Sequence, residues 1–134
     1  MTQPTWPAGL AAITLFTENL DECKAFYEQT FGLATVFEGD TSAVFKFGDT
    51  LINLLHISQA DELVGPARVA GPASGSRCVY TLNVEDVDAR CAELTARGVK
   101  LLNGPMNRPW GIRTASFADP AGHIWELASE LGRA

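Results

Sequence analysis

The stretch ITLFTENLD at 13–21 returns, altered, as YTLNVEDVD at 80–88. Thr14, Leu15, Glu18 and Asp21 recur as Thr81, Leu82, Glu85 and Asp88, each 67 residues on, which is half of the 134-residue chain. A duplicated unit restricts a fold more than composition does, because both halves must form the same supersecondary structure and cover each other's apolar faces. Chance agreement over nine residues is the competing reading, and the segment after each copy weighs against it.

A helix with its own start and stop signals comes next in both halves. Asn19 and Asp86 are residue types that cap a helix N-terminus, and Glu22, three residues past Asn19, completes a capping-box pattern. The first helix places Cys23, Phe26, Tyr27, Thr30 and Phe31 at helical spacing and stops at Gly32; the second places Val87, Cys91 and Leu94 and stops at Gly98. Short strand candidates then come in order: LATVFE, SAVFKFG and LINLLHI in the first half, VKLLNG, IRTASFA and HIWELAS in the second. Each half reads β-α-β-β-β, giving an α+β chain with one module over residues 8–58 and another over 77–131. Residues 59–76, QADELVGPARVAGPASGS, read as a flexible linker, or as a partly ordered cover over a pocket mouth.

A chain of 134 residues suits a single domain. Its N-terminus, MTQPTWPAGL, lacks the basic and apolar regions of a signal peptide, and no apolar run approaches a membrane span; a cytoplasmic protein is expected. Cys23, Cys78 and Cys91 show no CxxC spacing and read as small core residues. With a formal charge of −6 and its Lys and Arg scattered singly, the chain is not expected to bind nucleic acid; neutral or cationic ligands suit it better. Neither GxGxxG nor a P-loop pattern occurs, and no nucleophile stands beside an activating base.

The tandem β-α-β-β-β order, the strand-then-cap ITLFTENLDECKAFYEQTFGL, the strand FGDTLINLL, and PWGIRTASF before a closing DPAGHIWEL together resemble the vicinal oxygen chelate superfamily of glyoxalases, bleomycin-resistance proteins and dioxygenases. The likeness covers residues 10–131 and is nearest to the bleomycin-resistance and glyoxalase-like branch. It implies tandem modules whose sheets curve around a ligand cavity, helices outside, and a homodimer with cavities at or near the subunit contact.

Strand alternation then assigns faces. Ala12, Thr14 and Phe16 take the cavity side, as do Val79, Thr81 and Asn83, and Leu51, Asn53 and Leu55. With Pro-Ala-Gly as the turn, Glu126 lies across from Ser116, while Phe117, Trp125 and Leu127 face the helices. The superfamily's metal-using enzymes take ligands from four positions, which the resemblance carries to Ala12, Asn53, Val79 and Glu126. Only Glu126 is an anionic donor, Asn53 offers a weak amide oxygen, and Ala12 and Val79 offer nothing. No metal and no cofactor are therefore expected. His56 has the wrong parity for the cavity and His123 belongs to the hairpin.

A mid-strand Glu126 without a metal must find another partner, since a buried, unpaired carboxylate is costly. It can accept from Ser116, Thr81 or Asn53, meet a cationic or donor ligand, or serve acid–base chemistry. Phe16 and Phe37 are candidate ring contacts for a flat ligand or simple sheet filling, and Trp110, in the RPWGI loop, suits either the site or a dimer contact. Arg108 and Arg113 can pair with an acidic ligand group or with surface carboxylates, the latter being the leading expectation, and Trp6 is expected to pack on the body or a partner. The expected substrate-binding set is Glu126, Trp110, Phe16, Asn53, Thr14, Ser116 and Phe37. The leading expectation is a metal-independent protein that sequesters an aromatic or cationic compound, as in antibiotic resistance. The alternatives are a glyoxalase-like lyase or isomerase, or a dioxygenase-related enzyme, with a non-standard metal site, and a metabolite-binding module for sensing or biosynthesis.

Overall fold

The computed structural model describes residues 5–131. β1 (Ala12–Thr17), α1 (Leu20–Phe31), β2 (Phe37–Glu38), β3 (Ser42–Phe47) and β4 (Thr50–His56) form the first unit. Between the units lie two 3-10 turns and a short helix, α2 (Ala60–Val64), so of the two readings of this segment the partly ordered one holds. β5 (Val79–Asn83), α3 (Val87–Ala96), β6 (Leu101–Asn107), β7 (Ile112–Ala118) and β8 (Ile124–Glu130) then repeat the order of the first unit.

Each unit makes a four-stranded curved sheet, ordered β1-β4-β3-β2 and β5-β8-β7-β6, and the two do not close into a barrel. The first strand of each unit lies parallel to the last, pairing Thr14 with Asn53 and Thr81 with Glu126. The residues matched by the sequence repeat thus occupy equivalent places. Both helices begin as their caps require: Asn19 accepts from the Glu22 backbone N–H at 3.1 Å and Asp86 from that of Ala89 at 3.0 Å. Gly32 closes α1 at φ 66°, a left-handed conformation that glycine adopts without a Cβ penalty.

The helices pack on the outer faces of the sheets. From α1, Cys23 and Tyr27 are fully buried, with Phe26 and Phe31 partly so. Tyr27 stacks on Phe45 of the first sheet at 5.6 Å between ring centroids and meets Trp125 of the second edge-on at 5.9 Å. Phe31 lies 5.1 Å from Phe47 and 5.3 Å from Trp125. One helix therefore joins the helix-facing layers of both units into a common aromatic core, in which each ring buries roughly 150–250 Å². The opposite face of each sheet, carrying Thr14 and Asn53 on one and Thr81 and Glu126 on the other, looks away from that core.

Cysteine usage departs from expectation. Cys23 and Cys91 are core residues, but Cys78, just ahead of β5, is exposed. Trp6 is 94% exposed and so does not pack on the body of its own chain.

Candidate functional site

Glu126 sits mid-strand in β8, half-buried, with Thr81 on one side and Ser116 of β7 on the other. Its Oε1 accepts from the Thr81 hydroxyl at 2.9 Å. Ser116 is its register partner, as the Pro-Ala-Gly turn requires, and is buried. The first sheet repeats this arrangement with an amide: Asn53 Nδ2 donates to Thr14 Oγ1 at 3.4 Å, a weak bond, and Asn53 Oδ1 is buried without a partner. Exchanging the amide oxygen and nitrogen would let Thr14 donate to Oδ1 and leave Nδ2 alone instead. In either orientation one end of the Asn53 amide is buried without a partner. Among the described residues no hydrogen bond joins the Thr14–Asn53 pair to the Thr81–Glu126 pair.

A guanidinium shares the face of Glu126, a placement that strand alternation alone did not give. Arg108 donates from Nε to Thr114 Oγ1 at 2.8 Å and from Nη2 to Asn103 Oδ1 at 2.6 Å. Thr114 has the parity of Ser116 on β7, and Asn103 is the register partner of Ser116 on β6. Arg108 therefore binds neutral side chains instead of the surface carboxylate expected for it. Arg113 does meet one, donating twice to Asp88 at 2.7 and 2.8 Å and holding that carboxyl below its ordinary range.

The aromatic candidates are more dispersed. Phe16 is half-buried and lines a cavity at the end of β1. Phe37 is 58% exposed on the two-residue edge strand β2, and Trp110 is 68% exposed in the turn between β6 and β7. Neither is packed into the Glu126 cluster. A cavity of about 370 Å³ opens beside Thr81, between β1 and β5, with Ile13, Ile52, Val79 and Trp125 in its walls.

The histidines have local roles. His56 Nδ1 accepts from the Ser58 backbone N–H at 3.1 Å and caps the 3-10 turn. His123 Nδ1 lies 2.9 Å from Asp119 Oδ2, and Asp119 is fully enclosed. That carboxylate also accepts from the Tyr27 hydroxyl and from the backbone N–H groups of Ala121 and His123. Tyr27 in turn accepts from Trp125 Nε1 at 2.8 Å, which completes a buried relay from the core to the hairpin. The visible signal for this was the DPAGH turn itself, since Asp before a tight turn commonly bonds its own backbone further on.

A family model for the Glyoxalase/Bleomycin resistance protein/Dioxygenase superfamily matches residues 9–127. The chain belongs to that superfamily. It is 32% identical over 127 residues to the uncharacterized protein YraH of Bacillus subtilis (strain 168), covering 91% of this chain and 98% of that one. A glyoxalase-related enzyme from Fulvimarina pelagi is 28% identical, with a TM-score of 0.79 over 92% of this chain and 89% of its own. A lactoylglutathione lyase from Agrobacterium tumefaciens has the same fold at 21% identity, with a TM-score of 0.74 over 92% and 94% of the two chains.

Members of the superfamily that use a metal raise the question whether this chain has the donors for one. The four positions that the resemblance points to carry Ala12, Asn53, Val79 and Glu126, and one oxygen of Glu126 is already engaged by Thr81. Among the described residues no group of three or more His, Cys, Asp or Glu is placed to hold an ion. One carboxylate and one amide do not make a transition-metal site. The residues do not fit the group.

Proposed function

We propose that this superfamily member binds a small organic ligand without a metal, on the outward faces that carry Glu126 and Asn53, and acts by sequestering it. The observation that carries this reading is the pairing of half-buried Glu126 with the neutral Thr81 hydroxyl, at a position where the resemblance to metal-using enzymes calls for a ligand set. Glu126 keeps a carboxylate oxygen for a donor. Such a face suits a compound with a cationic or N–H-rich group. Arg108, on the same face, would meet an acceptor on the far side of the ligand. Phe37 and Trp110, at the rim, would cover a flat ring.

The open faces also support a homodimer, in which a second copy covers them and encloses the ligand. The protein would then work in the cytoplasm as a stoichiometric binder of the bleomycin-resistance kind.

The experiment is ligand binding by calorimetry against a panel of aromatic cations, with and without a strong chelator. Affinity should be the same in both. Glu126→Gln keeps shape and loses charge, so the fold should stay intact while a cationic ligand loses about 1–3 kcal/mol of binding. Near-stoichiometric nickel, zinc, manganese or iron in protein purified without chelator, with binding abolished by chelation, would replace this reading by a metal-dependent lyase.

A further inference from the structure

The arginines among the described residues divide sharply by what they touch. Arg90 pairs with Glu93, Arg97 donates to the carbonyls of Gln29 and Thr30, Arg108 to Thr114 and Asn103, and Arg113 to Asp88. Arg68 and Arg77 make no hydrogen bond or ion pair among the described residues, yet both line the same cavity of about 390 Å³. It lies beneath the segment that joins the two units, between the end of β1 and the β7–β8 hairpin. His123 and Cys78 line it as well, and Phe16, Val64, Val69 and Pro72 supply apolar wall.

This cavity is not the Glu126 site. Cys78 and His123 immediately precede Val79 and Ile124, which pair in the parallel register of β5 and β8. They carry the parity of Tyr80 and Trp125, opposite to that of Thr81 and Glu126. The bond from His123 to Asp119, whose other partner is the core residue Tyr27, places the imidazole on that same side.

We propose that this cavity is a second binding site, for a small organic acid whose carboxylate is met by Arg68 and Arg77 and whose apolar body lies against Phe16, Val64 and Val69. Arginine's planar fork suits a carboxylate, and a guanidinium with no internal partner is free to take one. Glu18, also in the wall, offsets one guanidinium. Asp119 is occupied by His123, Tyr27 and two backbone N–H groups. A volume near 390 Å³ lies at the small end of ligand cavities, enough for a compact acid.

Cys78 provides the readout, because it is exposed in this cavity while Cys23 and Cys91 are buried. The full chain is alkylated with iodoacetate, itself a small carboxylate, and with neutral iodoacetamide, and modification of Cys78 is tracked by peptide mass spectrometry. The iodoacetate-to-iodoacetamide rate ratio at Cys78 should exceed that of N-acetylcysteine by roughly tenfold, the low end of what a charged cleft does to the local concentration of an opposite charge. The double substitution Arg68→Ala, Arg77→Ala should return it to the free-thiol ratio, and Arg68→Lys, Arg77→Lys should keep most of it. The iodoacetamide rate alone reports any change in exposure or fold. Millimolar benzoate should shield Cys78 from iodoacetamide at least about twofold, and inorganic phosphate less. Equal ratios in wild type and the alanine variant, no shielding by benzoate, or phosphate shielding as well as benzoate does would each overturn the proposal.

Discussion

Tyr27 shows how much one side chain can join. Its ring is fully buried between the two sheets, while its hydroxyl accepts from Trp125 Nε1 and donates to Asp119 at 2.8 Å each. Burial and the adjacent Asp119 carboxylate push its pKa far above the ordinary phenol value, so it stays a donor at any working pH. Tyr27→Phe would fill the same space but leave an indole N–H without an acceptor and a buried carboxylate short of one donor. Leaving such groups unsatisfied costs about 2–4 kcal/mol in total. Urea unfolding should show this as a lower midpoint with an unchanged slope. A loss below about 0.5 kcal/mol would mean that the relay adds no net stability.

At the scale of elements, the sheet edges matter most. β2 and β6 end their sheets, and exposed apolar residues gather on or near them: Val36 and Phe37 by β2, Leu102 and Met106 in β6, and Trp110 in the turn after it. Unpaired edges with apolar side chains invite pairing or cover. A homodimer should therefore be seen by light scattering at micromolar concentration, and Trp110→Glu should shift it toward monomer without lowering monomer stability by more than about 0.5 kcal/mol, since the residue is exposed. A wild-type monomer under those conditions would contradict the dimer, and with it a ligand cavity completed by a second copy.

For the whole molecule, proton release at alkaline pH acts on several elements at once. Burial pushes the Cys23 thiol up from 9.0 to about 11, and it raises Tyr27 and Tyr80 as well, the latter helped by the hydrogen bond from Cys78. An unfolded chain would begin to ionise these groups near pH 9, where the folded chain still holds the protons. The unfolded state then binds fewer protons, so stability is full below pH 9 and declines as pH rises toward 11. The share from Cys23 alone is on the order of 2 kcal/mol. The melting temperature should fall across that window, and Cys23→Ala should flatten the fall. A melting temperature that stays constant across the same window would sink the idea.

Periodicity, caps and the repeat were enough to read both units, because strands, helix ends and turns depend on local backbone preference and alternation. The pairing of Glu126 with Ser116 came from the length of the Pro-Ala-Gly turn, and the lack of donors at Ala12 and Val79 from residue chemistry alone. What no local rule contained was anything set by residues distant in sequence. Tyr27 reaches Asp119 across 92 positions and Trp125 across 98. The open face of Cys78, the turn of Arg108 toward Thr114, and the meeting of Arg68 and Arg77 in one cavity also depend on how the units and their connecting segment pack. Local patterns decide which face a side chain takes; only tertiary packing decides what that face meets.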